Sequence, residues 1–322
     1  MMLIFDSLVG NLIVPTILFF VLGLLAAIVR SDLSIPEGAA KFMSLYLLLA
    51  IGFKGGHSLT ENGLNTEVFT ALGAGLALSF LIPIIAYALL RGMTRLDALN
   101  AAAVAGHYGS ISIVTFVAAT SLLDLSGIAW DGYMVAIAAT MEVPAILSAL
   151  WIAHRFGRDG STRCVSMREL FANGSIVLLT GAFVIGALTQ DKGMEMIAPF
   201  VVTPFTGILC LFLLDMGLSA GRSLLRNWHL LSVGLFAFGI IMPMISAMLA
   251  MGLGLAIGLQ TGSLFLMMVL AASASYIAVP AAMKIALPQA ESGIYLTLSM
   301  GVTFPFNITV GLPLYLWLAQ SF

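Results

Sequence analysis

The chain has 322 residues, of which 61% are hydrophobic and only 9% are charged, and its net charge is −2. Soluble domains carry roughly a quarter charged residues, so this composition excludes a soluble fold and makes lipid the solvent for much of the surface. There is no basic patch for nucleic acid. Cys164 and Cys210 lack the spacing of metal ligands, so neither a metal site nor a cofactor is expected.

Apolar segments of about the length that crosses a bilayer recur along the whole chain. In chain order these ten segments are 11–29, 39–59, 67–90, 97–122, 132–154, 170–189, 196–219, 230–258, 263–286 and 292–319. Lipid favours a helix for each, because an unpaired backbone group there costs several kcal/mol. The sequence therefore predicts an all-α membrane protein with ten transmembrane helices.

The two halves of the chain resemble each other. Segment 48–59 reads LLAIGFKGGHSL and segment 213–224 reads LLDMGLSAGRSL, with six identical positions. Three more landmarks recur in the same order at offsets of 160 to 166 residues: Pro83 and Pro243, GHYGSIS (106–112) and ASASYIA (272–278), and Pro144 and Pro305. These repeats predict a first five-helix unit over 1–154, a linker over 155–168 and a second five-helix unit over 169–322.

The positions of lysine and arginine predict the orientation. With the N-terminus outside, the opposite loops carry only Lys192, whereas the cytoplasmic loops carry ten basic residues: Arg30, Lys41, Arg91, Arg95, Arg155, Arg158, Arg163, Arg168, Arg222 and Arg226. This is a strong positive-inside bias. Because each half has an odd number of spans, the second half is expected to be inverted relative to the first, with both termini outside.

Polar interruptions in the fourth and ninth spans mark the expected binding site. Broken helices place their N-termini and free backbone groups near the middle of the bilayer, where helix N-termini attract anions. We therefore expect the two broken helices to cross and to bind a small anion through Gly109, Ser110, Ser112, Thr115, Ser273, Ser275 and Tyr276. The alternative is that small residues at these positions only allow close helix packing.

Several parts of the sequence, taken together, resemble a known family. They are IGFKGGHSL (51–59), GHYGSIS (106–112), MEVPAILSALWIAHRF (141–156), MGLSAGRSL (216–224) and the long segment 270–320. In their order and spacing they are similar to sodium-dependent bicarbonate transporters described from cyanobacteria. The resemblance implies two inverted five-helix repeats, a core domain moving against a gate domain, and often a trimer in the inner membrane. It also implies that bicarbonate binds between the crossing helices 4 and 9, with sodium alongside as coupling ion.

The chain departs from the pattern of this family at the two helix breaks. Tyr276 stands where an aspartate is expected, which removes a buried carboxylate. Ile113 and Val114 replace a Gly-Ser pair, and Val279 replaces a glycine, so the site is expected to be narrower. The short linker also lacks the regulatory insertion of the family.

Polar residues inside the spans are costly and usually face protein or water. Glu142 and Asn307 are candidate cation ligands because hard cations prefer oxygen, although each is equally consistent with a structural hydrogen bond. Lys54 and Asp215 lie on related spans, and we expect them to form an ion pair. His107 is either a satisfied hydrogen-bonding group or, less often in such a setting, a group that exchanges protons.

These observations favour a secondary transporter that couples sodium, or protons, to the uptake of bicarbonate or another small anion by alternating access. The core is expected to move against spans one, two, six and seven. Two alternatives remain open, namely a uniporter or exporter of a different small solute, and a non-transporting membrane receptor. An enzyme is not expected, because no Ser/His or paired-aspartate arrangement with catalytic spacing is visible.

Overall fold

The computed structural model describes residues 14–62, 66–156, 174–276 and 278–322, and these residues form helices with no β-strand among them. The predicted linker lies outside the described residues except for its first two positions. The helices are α1 (Pro15–Ile28), α2 (Glu37–Asn62), α3 (Thr66–Met93), α4 (Ala98–Gly109), α5 (Ile113–Ser126), α6 (Tyr133–Thr140), α7 (Glu142–Phe156), α8 (Gly174–Val201), α9 (Phe205–Asn227), α10 (Val233–Ala256), α11 (Thr261–Ala272), α12 (Ala278–Ala286) and α13 (Ser292–Gln320).

Seven helical stretches among the described residues are long and apolar enough to cross a membrane. They are Glu37–Leu59, Thr66–Met93, Ala98–Ser126, Tyr133–Phe156, Phe205–Leu230, Val233–Ala256 and Ser292–Gln320. Pro15–Ile28 and Thr261–Ala272 are shorter apolar helices. The prediction of a helical membrane protein is therefore confirmed, whereas the count of ten spans in an inverted repeat stays a prediction.

The boundary between the predicted sixth and seventh spans was wrong. Residues 196–201 belong to the end of α8, and α9 begins only at Phe205, directly after Pro204. Within α8 the helix turns at Gln190, which has a φ of 51° and a ψ of −145°. Backbone with a positive φ is uncommon outside glycine. Hydropathy alone did not reveal these turns, because the residues on both sides of Pro204 are equally apolar.

Two helical segments of equal length end in short breaks. Helices α4 and α11 each have 12 residues and start 163 positions apart. The first break, 110–112, separates α4 from α5, and the second break, described over 273–276, follows α11 and precedes α12. The structure thus interrupts the backbone in the fourth and ninth predicted spans, where the sequence placed the polar segments.

Close helix packing explains the repeated segment of the sequence. Gly52 and Gly56 of α2 lie against the backbone of α8, and a Cβ at Gly52 would come within 2.7 Å of the carbonyl oxygen of Leu179. The equivalent glycines of the second half, Gly217 and Gly221, lie against α1 in the same way. Glycines four residues apart let two helices approach closely in a membrane. The shared glycines therefore hold two helix pairs, α2 with α8 and α1 with α9.

Candidate functional site

A small buried cavity, called here the central cavity, lies where the two breaks meet helices α2, α7 and α9. Its volume is about 20 Å³, which is room for roughly one water-sized particle. The residues that line it are Ser44, Leu47, Leu48, Ile111, Ser112, Ile113, Val114, Val117, Glu142, Phe212, Ser275 and Tyr276. Two sequence-predicted groups of residues, from the helix breaks and from the fifth span, therefore share one cavity.

Each break hydrogen-bonds to the other half of the chain. The backbone N–H of Ser112 donates to Ser273 Oγ over 2.8 Å, and the backbone N–H of Ser275 donates to the carbonyl oxygen of His107 over 2.7 Å. Ser273 Oγ in turn donates to the carbonyl oxygen of Leu270. Buried backbone groups freed by a helix break need such partners. The two breaks therefore stabilise each other.

Two helices begin beside the central cavity. Ser112 caps α5, because its Oγ accepts hydrogen bonds from the backbone N–H of Thr115 at 3.3 Å and from the Thr115 hydroxyl at 3.0 Å. Helix α12 begins two residues after Tyr276, and Ser275 Oγ accepts a long 3.4 Å bond from the Val279 N–H. Helix N-termini carry partial positive charge and unpaired N–H groups. The arrangement can attract a negatively charged or electron-rich ligand.

Glu142 and Tyr276 are the residues of the central cavity with a buried polar atom that lacks a regular hydrogen bond. Glu142 is 3% exposed and Tyr276 is 8% exposed. Glu142 Oε2 has no hydrogen-bond partner in the part of the chain that the structure describes, and the Tyr276 hydroxyl makes no hydrogen bond of regular geometry there, although it interacts with the side chain of Ser112. Glu142 starts α7 directly after a helix interruption at Met141. No lysine or arginine lies among the described lining residues, so the side-chain charge of the cavity comes from Glu142 alone.

Other predicted site residues lie outside the cavity lining. Thr115 and Ser273 stand behind it and hold Ser112 in place. Gly109 faces Pro83 of α3, where a Cβ would collide with the proline ring, so its role in the structure is close packing. Ser110 is buried with an unpaired Oγ but does not line the cavity.

Asn307 is engaged elsewhere. Its amide nitrogen donates to the carbonyl oxygen of Ala272 over 2.8 Å, and its Oδ1 accepts from the hydroxyl of Tyr315 over 3.1 Å. Both ends of the amide therefore have protein partners, and this position ties the end of α11 to α13.

Ser44, Leu47, Leu48 and Phe212 line the cavity and were missed by the sequence reasoning. The signal that points to them is the internal repeat, since its two copies begin at Leu48 and directly after Phe212. Apolar residues in an apolar span carry no pattern that separates a cavity wall from a lipid-facing surface.

The expected ion pair between Lys54 and Asp215 was wrong. Lys54 Nζ instead lies 3.2 Å from Asp124 Oδ2 at the end of α5, and the indole N–H of Trp130 donates to the other carboxylate oxygen over 3.1 Å. Asp215 lies on α9, which packs mainly along α1. Residues on related spans need not face each other, because packing decides which helix faces meet.

His107 lies behind the second break and is fully buried. Its Nδ1 donates to the carbonyl oxygen of Ala103 over 2.7 Å, and its ring stacks on Tyr295 with the centroids 4.4 Å apart. Its Nε2 has no partner among the described residues. The stacking and the backbone bond show a packed histidine, held in one orientation.

Long apolar helices and two facing helix breaks define a multi-pass membrane protein of the kind built around discontinuous helices, as many transporters are. Residues 15–320 match the Na⁺-dependent bicarbonate transporter superfamily, so the chain belongs to this family and not to an enzyme family. A comparison with curated proteins gave no match. The family resemblance noted in the sequence is therefore confirmed over nearly the whole chain.

Proposed function

We propose that this protein is a secondary transporter that couples sodium to the uptake of bicarbonate or another small anion. The observation that carries the proposal is the meeting of two broken helices at one buried cavity, with Ser112 and Ser275 at the helix starts. Membership of a Na⁺-dependent bicarbonate transporter superfamily supports both the ion and the substrate class.

The proposed architecture has ten transmembrane helices in two inverted five-helix repeats, 1–154 and 169–322, joined by a cytoplasmic linker with both termini outside. The equal lengths and the 163-residue offset of α4 and α11 support two related halves. The positive-inside bias supports the inversion. A homo-oligomer in the inner membrane follows from the family resemblance alone.

The helices around the central cavity divide into two groups, as alternating access requires. The central cavity is lined on one side by α2 and α9 and on the other by the two breaks and α7. Helices α1, α2, α8 and α9 pack as two close pairs, which is suited to a rigid gate. We propose that the helices bearing the breaks move against this gate and expose the cavity to each side in turn.

The anion is proposed to bind at the starts of α5 and α12. There the unpaired N–H groups of the first turns and the hydroxyls of Ser112, Ser275 and Tyr276 serve as donors. Hydrogen bonds to an ionised ligand contribute about 1.5–3 kcal/mol each, more than neutral ones. Ser110, Thr115 and Ser273 do not line the cavity and are proposed to support these donors from behind.

One observation favours a second candidate, a transporter of a different small solute. The cavity is narrow, and Ile113, Val114 and Phe212 make much of its wall apolar. Bicarbonate has one carbon and three oxygens, so it needs more room than this conformation offers.

The first test is uptake of labelled bicarbonate into proteoliposomes with and without an inward sodium gradient. We expect sodium-driven uptake by the native protein, with a reduction of about tenfold in Ser112→Ala and in Ser275→Ala, because each change removes a donor to a charged ligand. Ser299→Ala is the matched control, since among the described residues this buried serine bonds only within its own helix, to the carbonyl oxygens of Tyr295 and Leu296. Absence of sodium-driven uptake by folded native protein would contradict the proposal.

Tyr276→Asp separates the two candidates. If bicarbonate is the substrate of the native chain, the native protein already takes it up in a sodium-driven way, and uptake does not depend on the substitution. Uptake by the variant but not by the native protein would mean that the site is adapted to another solute. The same vesicles and gradient serve for both proteins.

A further inference from the structure

We propose that an open cleft beside Lys54, called here the outer cleft, is a second binding site that captures a planar oxyanion before it reaches the central cavity. Its volume is about 290 Å³. This inference rests on the proposed function, because it adds a first step to the uptake of a small anion. The residues that line the outer cleft are Lys54, His57, Ser58, Asp124, Ile128, Ala129, Trp130 and Met194.

The first argument is the position of the outer cleft. Helix α2 contributes Leu48 to the central cavity and Lys54 to the outer cleft, and α5 contributes Val117 and Asp124 in the same order. A helix rises about 1.5 Å per residue, so the cleft lies roughly 10 Å further along the same two helices, towards the predicted outer side. An anion that enters between α2 and α5 therefore meets the outer cleft first.

The second argument is that the outer cleft already binds a carboxylate of the protein itself. Lys54 Nζ lies 3.2 Å from Asp124 Oδ2, and the indole N–H of Trp130 donates to Asp124 Oδ1 over 3.1 Å. An ammonium and an N–H that converge on the two oxygens of one planar group form a receptor for an oxyanion. Bicarbonate and formate present the same O–C–O plane. Such an anion can take the place of the carboxylate when Asp124 turns towards solvent.

The third argument is that both donors have other contacts that hold them at the outer cleft. The Lys54 ammonium lies over the ring of Phe205 on α9, 5.2 Å from its centroid, and a cation is attracted to an aromatic face. Trp130 packs edge to face with Phe116 of α5, with the centroids 6.4 Å apart. The two donors therefore do not depend on Asp124 for their positions.

The fourth argument is that the exchange of one carboxylate for another is easy here. The side chains of Lys54 and Asp124 are 23% and 44% exposed, and an ion pair this exposed changes an equilibrium by about two- to fivefold. A water molecule takes about 30 Å³ in the liquid, so the outer cleft has room for an anion together with some of its water. Capture is weak, as it must be at a site that the anion has to leave again.

Capture also affects the gate. Lys54 belongs to α2 of the proposed gate, and Asp124 ends α5, so their ion pair joins the two sides of the path. An anion on Lys54 replaces a carboxylate that is part of α5 by one that is free to leave, which weakens this link. A ligand that favours one arrangement of the helices shifts the population towards it. The captured anion should therefore favour opening between α2 and α5.

The test is a titration of the purified protein with sodium bicarbonate and with sodium formate, each replacing sodium chloride at constant ionic strength. The fluorescence of Trp130, taken as the difference between the native protein and Trp130→Phe, reports on the outer cleft. We expect this difference to change and saturate with both planar oxyanions, because each displaces Asp124 from the indole N–H. Added sodium chloride alone should give no saturable change.

Two variants break the same ion pair and distinguish an anion site from a structural bond. Lys54→Met removes the cation and should raise the half-saturating concentration about tenfold, because a bond to an ionised ligand is lost. Asp124→Asn removes the competing charge and should lower that concentration about two- to fivefold. Lys192→Met and Glu195→Gln change the net charge in the same two directions at exposed positions outside the cleft lining, and should leave it unchanged.

A structural ion pair predicts a different pattern, since both variants would then lose the same bond. Half-saturating concentrations that move in the same direction in Lys54→Met and Asp124→Asn would overturn the inference. A saturable response to chloride, or no response that depends on Trp130, would overturn it as well. Lys54→Gln replaces Lys54→Met if the latter does not fold.

The two levels of the proposal fail separately. A Trp130 response that depends on Lys54, without uptake of bicarbonate into proteoliposomes, supports the outer cleft and contradicts the proposed function. Sodium-driven uptake of bicarbonate by a protein whose Trp130 fluorescence does not respond supports the proposed function and overturns the outer cleft as a binding site.

Discussion

At the scale of single residues, the polar side chains around the two breaks fall into distinct roles. Ser112, Ser275, Tyr276 and Glu142 face the central cavity. Asn307 instead bonds to the carbonyl oxygen of Ala272 and to the Tyr315 hydroxyl. A residue whose polar atoms are all paired with protein is poorly placed to bind an ion, because the ion would have to displace those bonds.

Asn307→Ala therefore tests a structural role. We expect it to lower the free energy of unfolding by about 1–2 kcal/mol, because two buried hydrogen bonds are lost. A side-chain hydrogen bond between membrane helices contributes on average about 0.6 kcal/mol, so the two together account for a loss of this size. Sodium, the proposed coupling ion, should still raise Tm, as a ligand of the folded protein does. The measurement is thermal unfolding with and without sodium, beside Glu142→Gln at the other candidate cation ligand, and loss of the sodium response in Asn307→Ala would show that Asn307 is itself a ligand.

At the scale of helices, the repeated glycines set the distances between α2 and α8 and between α1 and α9. A Cβ at Gly56 would collide with the carbonyl group of Phe183, which is backbone and has little freedom to move away. Gly73 of α3 faces outward, and a Cβ added there would meet no atom within 4 Å.

Gly56→Ala and Gly73→Ala are a matched pair for this packing. We expect Gly56→Ala to destabilise the protein by about 1–3 kcal/mol, as overpacking does, and Gly73→Ala to be neutral or stabilising by up to about 1 kcal/mol, since alanine favours the helix. Chemical unfolding in detergent measures both. Equal stabilities would show that α2 and α8 are free to separate.

At the scale of the whole molecule, an ion pair joins the proposed gate to the helix that follows the first break. Lys54 of α2 pairs with Asp124 at the end of α5, in an open cleft that also contains Trp130. The side chains are 23% and 44% exposed, so water and salt weaken the attraction. In the proposed alternating-access mechanism, we expect such a pair to favour the arrangement in which α2 and α5 stay together at this cleft, without locking it.

Lys54→Met should therefore favour opening of this side. Labelling of Ser44→Cys by a thiol reagent that does not cross the membrane reports access to the central cavity, in a background with Cys164 and Cys210 replaced by serine. We expect the labelling rate from outside to rise about two- to fivefold. Exchanging the two charges, Lys54→Asp with Asp124→Lys, should restore the native rate, and an unchanged rate in Lys54→Met would exclude a gating role.

Much of the candidate site was visible in the sequence, for a physical reason. Small and hydroxyl-bearing residues clustered in the middle of an apolar span allow the backbone to open and offer polar groups there, so 106–112 and 272–278 stood out. The same reasoning did not separate Ser112, which faces the cavity, from Gly109, which packs on Pro83. Neighbouring positions of a broken helix point in different directions, and only the packed neighbours show which direction leads to the cavity.

The sequence by itself determined the solvent, the helical class, the family and the position of the breaks, because these depend on composition and on the order of residues along the chain. Only the tertiary structure decided that Glu142 shares a cavity with Ser112, Ser275 and Tyr276, and that Lys54 pairs with Asp124 and not with Asp215. These contacts join residues far apart in the chain. They depend on which helix faces meet, and in lipid that choice is made by close packing and by the few polar groups that need partners.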